Sequence, residues 1–349
     1  MSPYQGRGEL LVVPNQVKIS VIQCSPDRSC IASVVGGSVN IIRAAIMQER
    51  QALEVINPIS PEIDTIYDLA ISADNAMLAM AQGKNGVSIW NLVNRQLLCQ
   101  LPFPDSARTV AFSPTGCRLA VSGSGTRVAI WDVSDAQSRR ELGSLEVALT
   151  VQQPLVFVLA FSPDGRWLAA SGGNVFNGDG GPIFIWQIND KIEETRPPYI
   201  GKGDARHITS LVFSPDSQIL GSCGGEGLAK LWDAATGTQI RQLAGHNAMV
   251  NKIHYSPDGK YLATASIDRT ARVWDAAEGK ELLKYQLPDI GEGAFFTPDG
   301  QRVVVVPQTG GYHLNAFLDV DELVAVARTR LTRDWQPEEI QKYLYGKRH

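Results

Sequence analysis

Groups able to do chemistry are few in this chain, and they are scattered. Its five histidines are His207, His246, His254, His313 and His349. None has a Ser, a Cys or a pair of carboxylates beside it at the spacing that would activate a nucleophile. The five cysteines, Cys24, Cys30, Cys99, Cys117 and Cys223, form no CxxC pair and no Cys/His set of the kind that holds zinc. Ser122-Gly123-Ser124-Gly125 is glycine-rich, but it lies between two strand-like runs and lacks the lysine of a phosphate-binding loop. The stretch Gly172-Gly173-Asn174-Val175-Phe176-Asn177-Gly178-Asp179-Gly180-Gly181 lacks the spaced carboxylates and the closing Glu of a calcium loop. No catalytic residue, metal or cofactor is therefore expected, and the chemistry left open is recognition.

What would position any such surface is a repeated turn. Ser256-Pro257-Asp258-Gly259 places Ser at the first corner of a type I turn, Pro where φ is already close to the needed value, and Gly at the last corner. Related turns start at Ser25, Ser72, Ser113, Ser162, Ser214 and Thr297, so there are seven. Successive first residues lie 47, 41, 49, 52, 42 and 41 positions apart. From His246 to Tyr285 the chain reads as one four-stranded antiparallel sheet, with short apolar runs separated by turn residues. A small sheet alone is marginal in water, so each copy must stack on its neighbours.

Composition narrows the partners. A net charge of −4 and a pI near 5.8 give no electrostatic reason to expect nucleic acid. The longest apolar run, residues 155 to 161, is too short to cross a bilayer, and no charged-then-apolar leader is read at the start. Odd, dispersed cysteines inside apolar runs read as free thiols in a reducing compartment, so a cytoplasmic location without membrane attachment is expected.

Trp90, Trp131, Trp186, Trp232 and Trp274 recur at the third run of five copies, mostly followed by Asp or an amide. With the turn spacing, they make the chain resemble the WD-repeat family over about residues 9 to 318. The resemblance implies an all-β, seven-bladed propeller over residues 9–318, closed by an N-terminal strand at residues 9–13. It also implies a structural tetrad of His246, Thr264, Asp268 and Trp274, in which no buried polar group is left unpaired. Glu226 and Ser222 ahead of Trp232 come near to repeating that arrangement, with Asp204 in the place of the histidine. After Leu318 the apolar period becomes helical, with Asp319 as N-cap candidate, and a second helix starts near Pro337. Residues 319–349 resemble the helical tail of many bacterial WD-repeat proteins, which packs on the propeller or docks elsewhere.

The family implies a non-catalytic scaffold that presents loop surfaces to a protein or peptide. Candidate contacts on the loop face are Arg108, Phe176, Asn177, Arg206, His207, Arg269 and Tyr312. An alternative stays open because loops from all blades converge: a hydrolase or lyase at the channel mouth, which would need clustered acidic or histidine side chains there.

Overall fold

The computed structural model describes residues 9–11, 19–35, 38–43, 54–56, 65–135, 139–147, 155–173, 181–189, 192, 199–204, 207–309 and 312–316. Among them are seven four-stranded antiparallel sheets and no α-helix. Residues 319–349, where helices are expected, lie outside the described residues.

The innermost strands are Ile19–Cys24, Asp68–Ile71, Ala107–Phe112, Leu155–Phe161, Ile208–Phe213, Val250–Tyr255 and Gly291–Phe296. Each packs beside the next, and Gly291–Phe296 returns to Ile19–Cys24, so the sheets form a ring. Six sheets are built from consecutive strands. The last takes three strands from the end of the chain, Gly291–Phe296, Arg302–Pro307 and Tyr312–Ala316, and its outer strand from Glu9–Leu11. There Glu9 faces Leu314 and Leu11 faces Tyr312.

Position within a sheet sets burial. Second strands such as Tyr261–Ser266 and Arg302–Pro307 are buried along nearly their whole length, because a neighbouring sheet covers each face. Their residues are small or β-branched (Ala263, Thr264, Ala265; Val303 to Val306), as two close packing faces require. Outer strands such as Gln239–Ala244 lie on the circumference and are mostly exposed. The core is thus divided into clusters between adjacent sheets. One joins Leu231 and Leu243 to Ile253, Leu262 and Trp274.

The turn residues fix one rim of the ring. In the turn at Ser256, the hydroxyl donates to Asp258 Oδ1 at 2.6 Å and accepts from Tyr261 N–H at 2.9 Å. The same pair of bonds recurs at Ser25, Ser72, Ser162, Ser214 and Thr297, with Thr115 replacing Asp at Ser113. The last corner always has positive φ: Gly at 116, 165, 259 and 300, but Arg28, Asn75 and Ser217 elsewhere. Each of those three side chains bonds to another sheet. Asn75 Nδ2 donates to Asp27 Oδ2 at 2.7 Å, Ser217 Oγ accepts from Asp164 N–H at 3.1 Å, and Arg28 Nη2 donates to Ser256 O at 3.3 Å. Such bonds offset the cost of a left-handed backbone at a residue with a Cβ.

Candidate functional site

Inner strands run from the opposite rim towards the turn rim, and their first residues share one irregularity. In six sheets the pairing with the second strand skips a residue: Ser20, Arg108, Phe157, Thr209, Asn251 and Glu292. In the seventh, Tyr67 N–H donates to Ala81 O at 2.9 Å while the next residue, Asp68, also pairs with Ala81. Tyr67 therefore takes the same place. A bulge leaves one residue out of the ladder and re-aims its side chain. Seven side chains thus form a ring at the mouth of the propeller, each five positions ahead of its turn Ser or Thr.

The ring divides by chemistry. Thr209 Oγ1 donates to the backbone carbonyl of Val250, and Asn251 Nδ2 donates to Gly291 O at 3.0 Å, so each ties its sheet to the next. Glu292 Oε1 accepts from Gln308 Nε2 at 2.6 Å. On the other side Tyr67, Arg108 and Phe157 adjoin one another in ring order. The guanidinium carbon of Arg108 lies 4.0 Å from the Tyr67 ring centre, and Phe157 meets the His207 ring at 6.4 Å. Tyr67 is 36 % exposed, while Arg108 and Phe157 are half-buried.

Below this ring the inner wall is polar and tightly bonded. Asp68 accepts from Gln23 Nε2 at 3.0 Å and from Thr109 Oγ1 at 2.9 Å, joining three sheets. Burial pushes the Lys252 ammonium below the usual lysine range and holds the Cys24 thiol up at about 12. All five cysteines are free, and Cys117 is exposed. Among the described residues no group of three or more His, Cys, Asp or Glu side chains could hold a metal ion. No helix among them is long and apolar enough to cross a membrane.

Between the sixth sheet and its predecessor the mouth opens into a cleft of about 610 Å³, lined by His207, Gly225, Glu226, Asn247, Met249 and Ile267. Its wall is held by the buried network of His246. The Nδ1–H donates to Asp268 Oδ2 at 2.9 Å, Nε2 accepts from the Thr264 hydroxyl at 2.8 Å, and that oxygen accepts from Trp274 Nε1–H at 2.8 Å. Burial keeps His246 below the usual imidazole range despite Asp268 beside it, so the ring is neutral and bonded through both nitrogens. Burial alone would raise Asp268, but hydrogen bonds from Thr270 and His246 outweigh it and hold the carboxyl down at about 2. The other tryptophans differ. Trp232 Nε1 donates to Ser222 at 2.8 Å, Trp90 Nε1 to Ser88 on its own strand at 3.0 Å, and Trp131 Nε1 is buried without a partner.

Of the contacts expected from sequence, Arg108 lies in the mouth ring and His207 joins Phe157 to the cleft. Arg269 is exposed on the second-to-third-strand turn of the sixth sheet, at φ 62°. Tyr312 is described through its backbone, at the start of the last sheet's third strand. Phe176, Asn177 and Arg206 lie outside the described residues. The sequence reading missed Tyr67 and Phe157, although counting back five residues from each turn would have found both.

Residues 96–132, 147–179, 198–233 and 237–275 match the family described as WD domain, G-beta repeat. The last of these runs from the outer strand of one sheet through three strands of the next, so the sequence repeat is offset by one strand from the sheet. A Drosophila pseudoobscura pseudoobscura protein described as "Protein LST8 homolog" is 26% identical over 239 residues, covering 67% of this chain and 70% of that protein. Its Drosophila melanogaster namesake is 26% identical over 238 residues, covering 67% and 71%. A Bos taurus protein, "Target of rapamycin complex subunit LST8", is 26% identical over 162 residues, covering 45% and 46%. A chain in the "Crystal Structure of Mitotic Checkpoint Complex" superposes with a TM-score of 0.74 at 15% identity, covering 90% of this chain and 93% of that one, a likeness of fold. These relatives are animal proteins, so the bacterial style read from the last residues is not supported.

Proposed function

Since the chain belongs to the WD40 repeat family, we propose that it is a non-catalytic scaffold that docks a protein or peptide partner on the mouth rim of its propeller. The observation that carries this reading is the division of the mouth ring. Thr209, Asn251 and Glu292 are engaged in hydrogen bonds within the propeller, whereas Tyr67, Arg108 and Phe157 present aromatic and guanidinium surface side by side. Such side chains are the commonest anchors of protein interfaces, and a stiff frame lowers the ordering cost of binding. The cleft beside His207 extends the same rim. Arg269, Tyr312, Phe176, Asn177 and Arg206 belong to this proposal as further contacts. The cattle relative is named as a subunit of a complex, which supports a partner from another chain, and the free cysteines support action in the cytoplasm.

The test is affinity purification of the tagged full-length chain from its native cell, followed by mass spectrometry. A stoichiometric partner is expected with wild type. It should be lost with Phe157→Asp on the mouth rim and kept with Arg166→Ala on the turn rim. Absence of any stoichiometric partner, or loss only with the turn-rim variant, would overturn the proposal.

A further inference from the structure

Arg108 stands out within the mouth ring. Its guanidinium makes no ion pair among the described residues, and its Nε is buried without a hydrogen-bond partner. The position is nevertheless built. The Tyr67 ring carries the guanidinium 4.0 Å from its centre and also lies against the backbone at Gly83, where a Cβ would come within 3.0 Å of Tyr67 Cε2. Gly83 has φ +60 and exchanges two 2.9 Å backbone bonds with Ala107, the residue before Arg108. The turn of one sheet therefore clamps the start of the next.

Aromatic stacking fixes a guanidinium without satisfying its donors. Five N–H groups in a planar fork match the two oxygens of a carboxylate, and a donor that loses water without gaining an acceptor is unfavourable until such a group arrives. Thr209, Asn251 and Glu292 all have their acceptors or donors within the propeller. Arg108 alone among the ring's charged groups is left with a donor unmatched. Glu292, the ring's carboxyl member, sits three sheets away by ring order and is held by Gln308.

We propose that Arg108, backed by Tyr67, is the docking point for an acidic side chain, Asp or Glu, of the partner segment, with Phe157 packing beside it. This rests on the scaffold reading above and adds the chemistry of the partner. The positive charge that selects it is local, since the chain as a whole is acidic.

The experiment uses the full-length chain and pools of short bead-bound peptides, random except for one central position fixed as Glu, Gln, Lys or phosphoserine. The Glu pool is expected to retain about tenfold more protein than the Gln pool, and the Lys pool least. Arg108→Gln should bring the Glu pool down to the Gln level, Arg108→Lys should keep part of the preference, and added salt should weaken it. Tyr67→Leu, which keeps apolar bulk but removes the aromatic face, should reduce the preference about threefold. This second variant keeps the test decisive if Arg108→Gln fails to fold. Equal retention of Glu and Gln pools, or a preference that survives Arg108→Gln, would overturn the assignment. A phosphoserine pool more than about tenfold above the Glu pool would also overturn it, assigning the site to phosphate. If native partner capture is lost with Phe157→Asp but is indifferent to Arg108→Gln, this inference fails while the scaffold reading stands.

Discussion

The two rims of the propeller are made by opposite strategies. At the turn rim one solution is repeated seven times: a hydroxyl, buried in six of the seven, bridges the residue two positions on and the N–H five positions on. At the mouth rim one backbone feature, the bulge, recurs with seven different residues: Ser20, Tyr67, Arg108, Phe157, Thr209, Asn251 and Glu292. Where geometry must be the same in every sheet, the chemistry is the same. Where only the backbone must match, the side chain is free to differ, and the surface acquires an identity.

That contrast can be broken most strongly from inside. Thr264→Val should be the most damaging change of those considered, because one hydroxyl serves both His246 Nε2 and Trp274 Nε1–H. Leaving two buried groups unmatched is expected to cost about 2–4 kcal/mol in a denaturant melt. A loss under ~1 kcal/mol would show that the network is not needed for packing.

Ser256→Ala comes next. It removes an acceptor from Tyr261 N–H at a site 1% exposed, with an expected loss of about 1–3 kcal/mol and no change in peptide binding. Arg108→Gln, measured beside it, should stay within ~0.5 kcal/mol of wild type while altering binding. If the two variants exchange these phenotypes, the division of labour between rims is wrong.

The smallest expected effect is in pH dependence. His246 titrates lower in the fold than the ordinary imidazole, and Asp268 lower than the ordinary carboxyl, at about 2. In both cases the unfolded chain binds the proton more readily. Stability is therefore full above the unfolded imidazole value of 6.5. It falls first below that through His246, then from 3.8 towards about 2 through Asp268. Thermal melts from pH 8 to 3 should show this fall in wild type, whereas Asp268→Asn should lose the part below 3.8 and keep a fall below 6.5 at least as steep, because the Asp268 carboxylate raises the imidazole. Unchanged slopes below 3.8 would remove Asp268 from the account.

The same contrast explains what could be read from sequence. Pro, Gly and Asp constrain backbone in ways that depend little on surroundings, so the Ser-Pro-Asp turns gave away the period and thus the ring. The His246 network was expected from the resemblance to the WD-repeat family, whose tetrad falls within one repeat. Arg28, by contrast, reaches the carbonyl of Ser256, 228 positions away, and nothing local announces that. Ser88 serves Trp90 from two residues back on the same strand, a solution absent from the repeat pattern. The mouth ring shares a position but no residue type, so it was legible only as an offset from the turns. Choosing candidates by loop membership named Arg108 but not Tyr67, whose ring its guanidinium lies against.

The pairing of Glu9–Leu11 with the strand at Tyr312–Ala316 also sets a timetable for biogenesis. Those early residues leave the ribosome roughly 15–60 s before their mates are made, at ~5–20 residues per second over about 300 residues. Until translation ends, the nascent chain carries two open edges that can find each other, or the edges of another molecule. A slow codon run or a stalled ribosome near the end would lengthen that interval, and chaperone demand should rise with it.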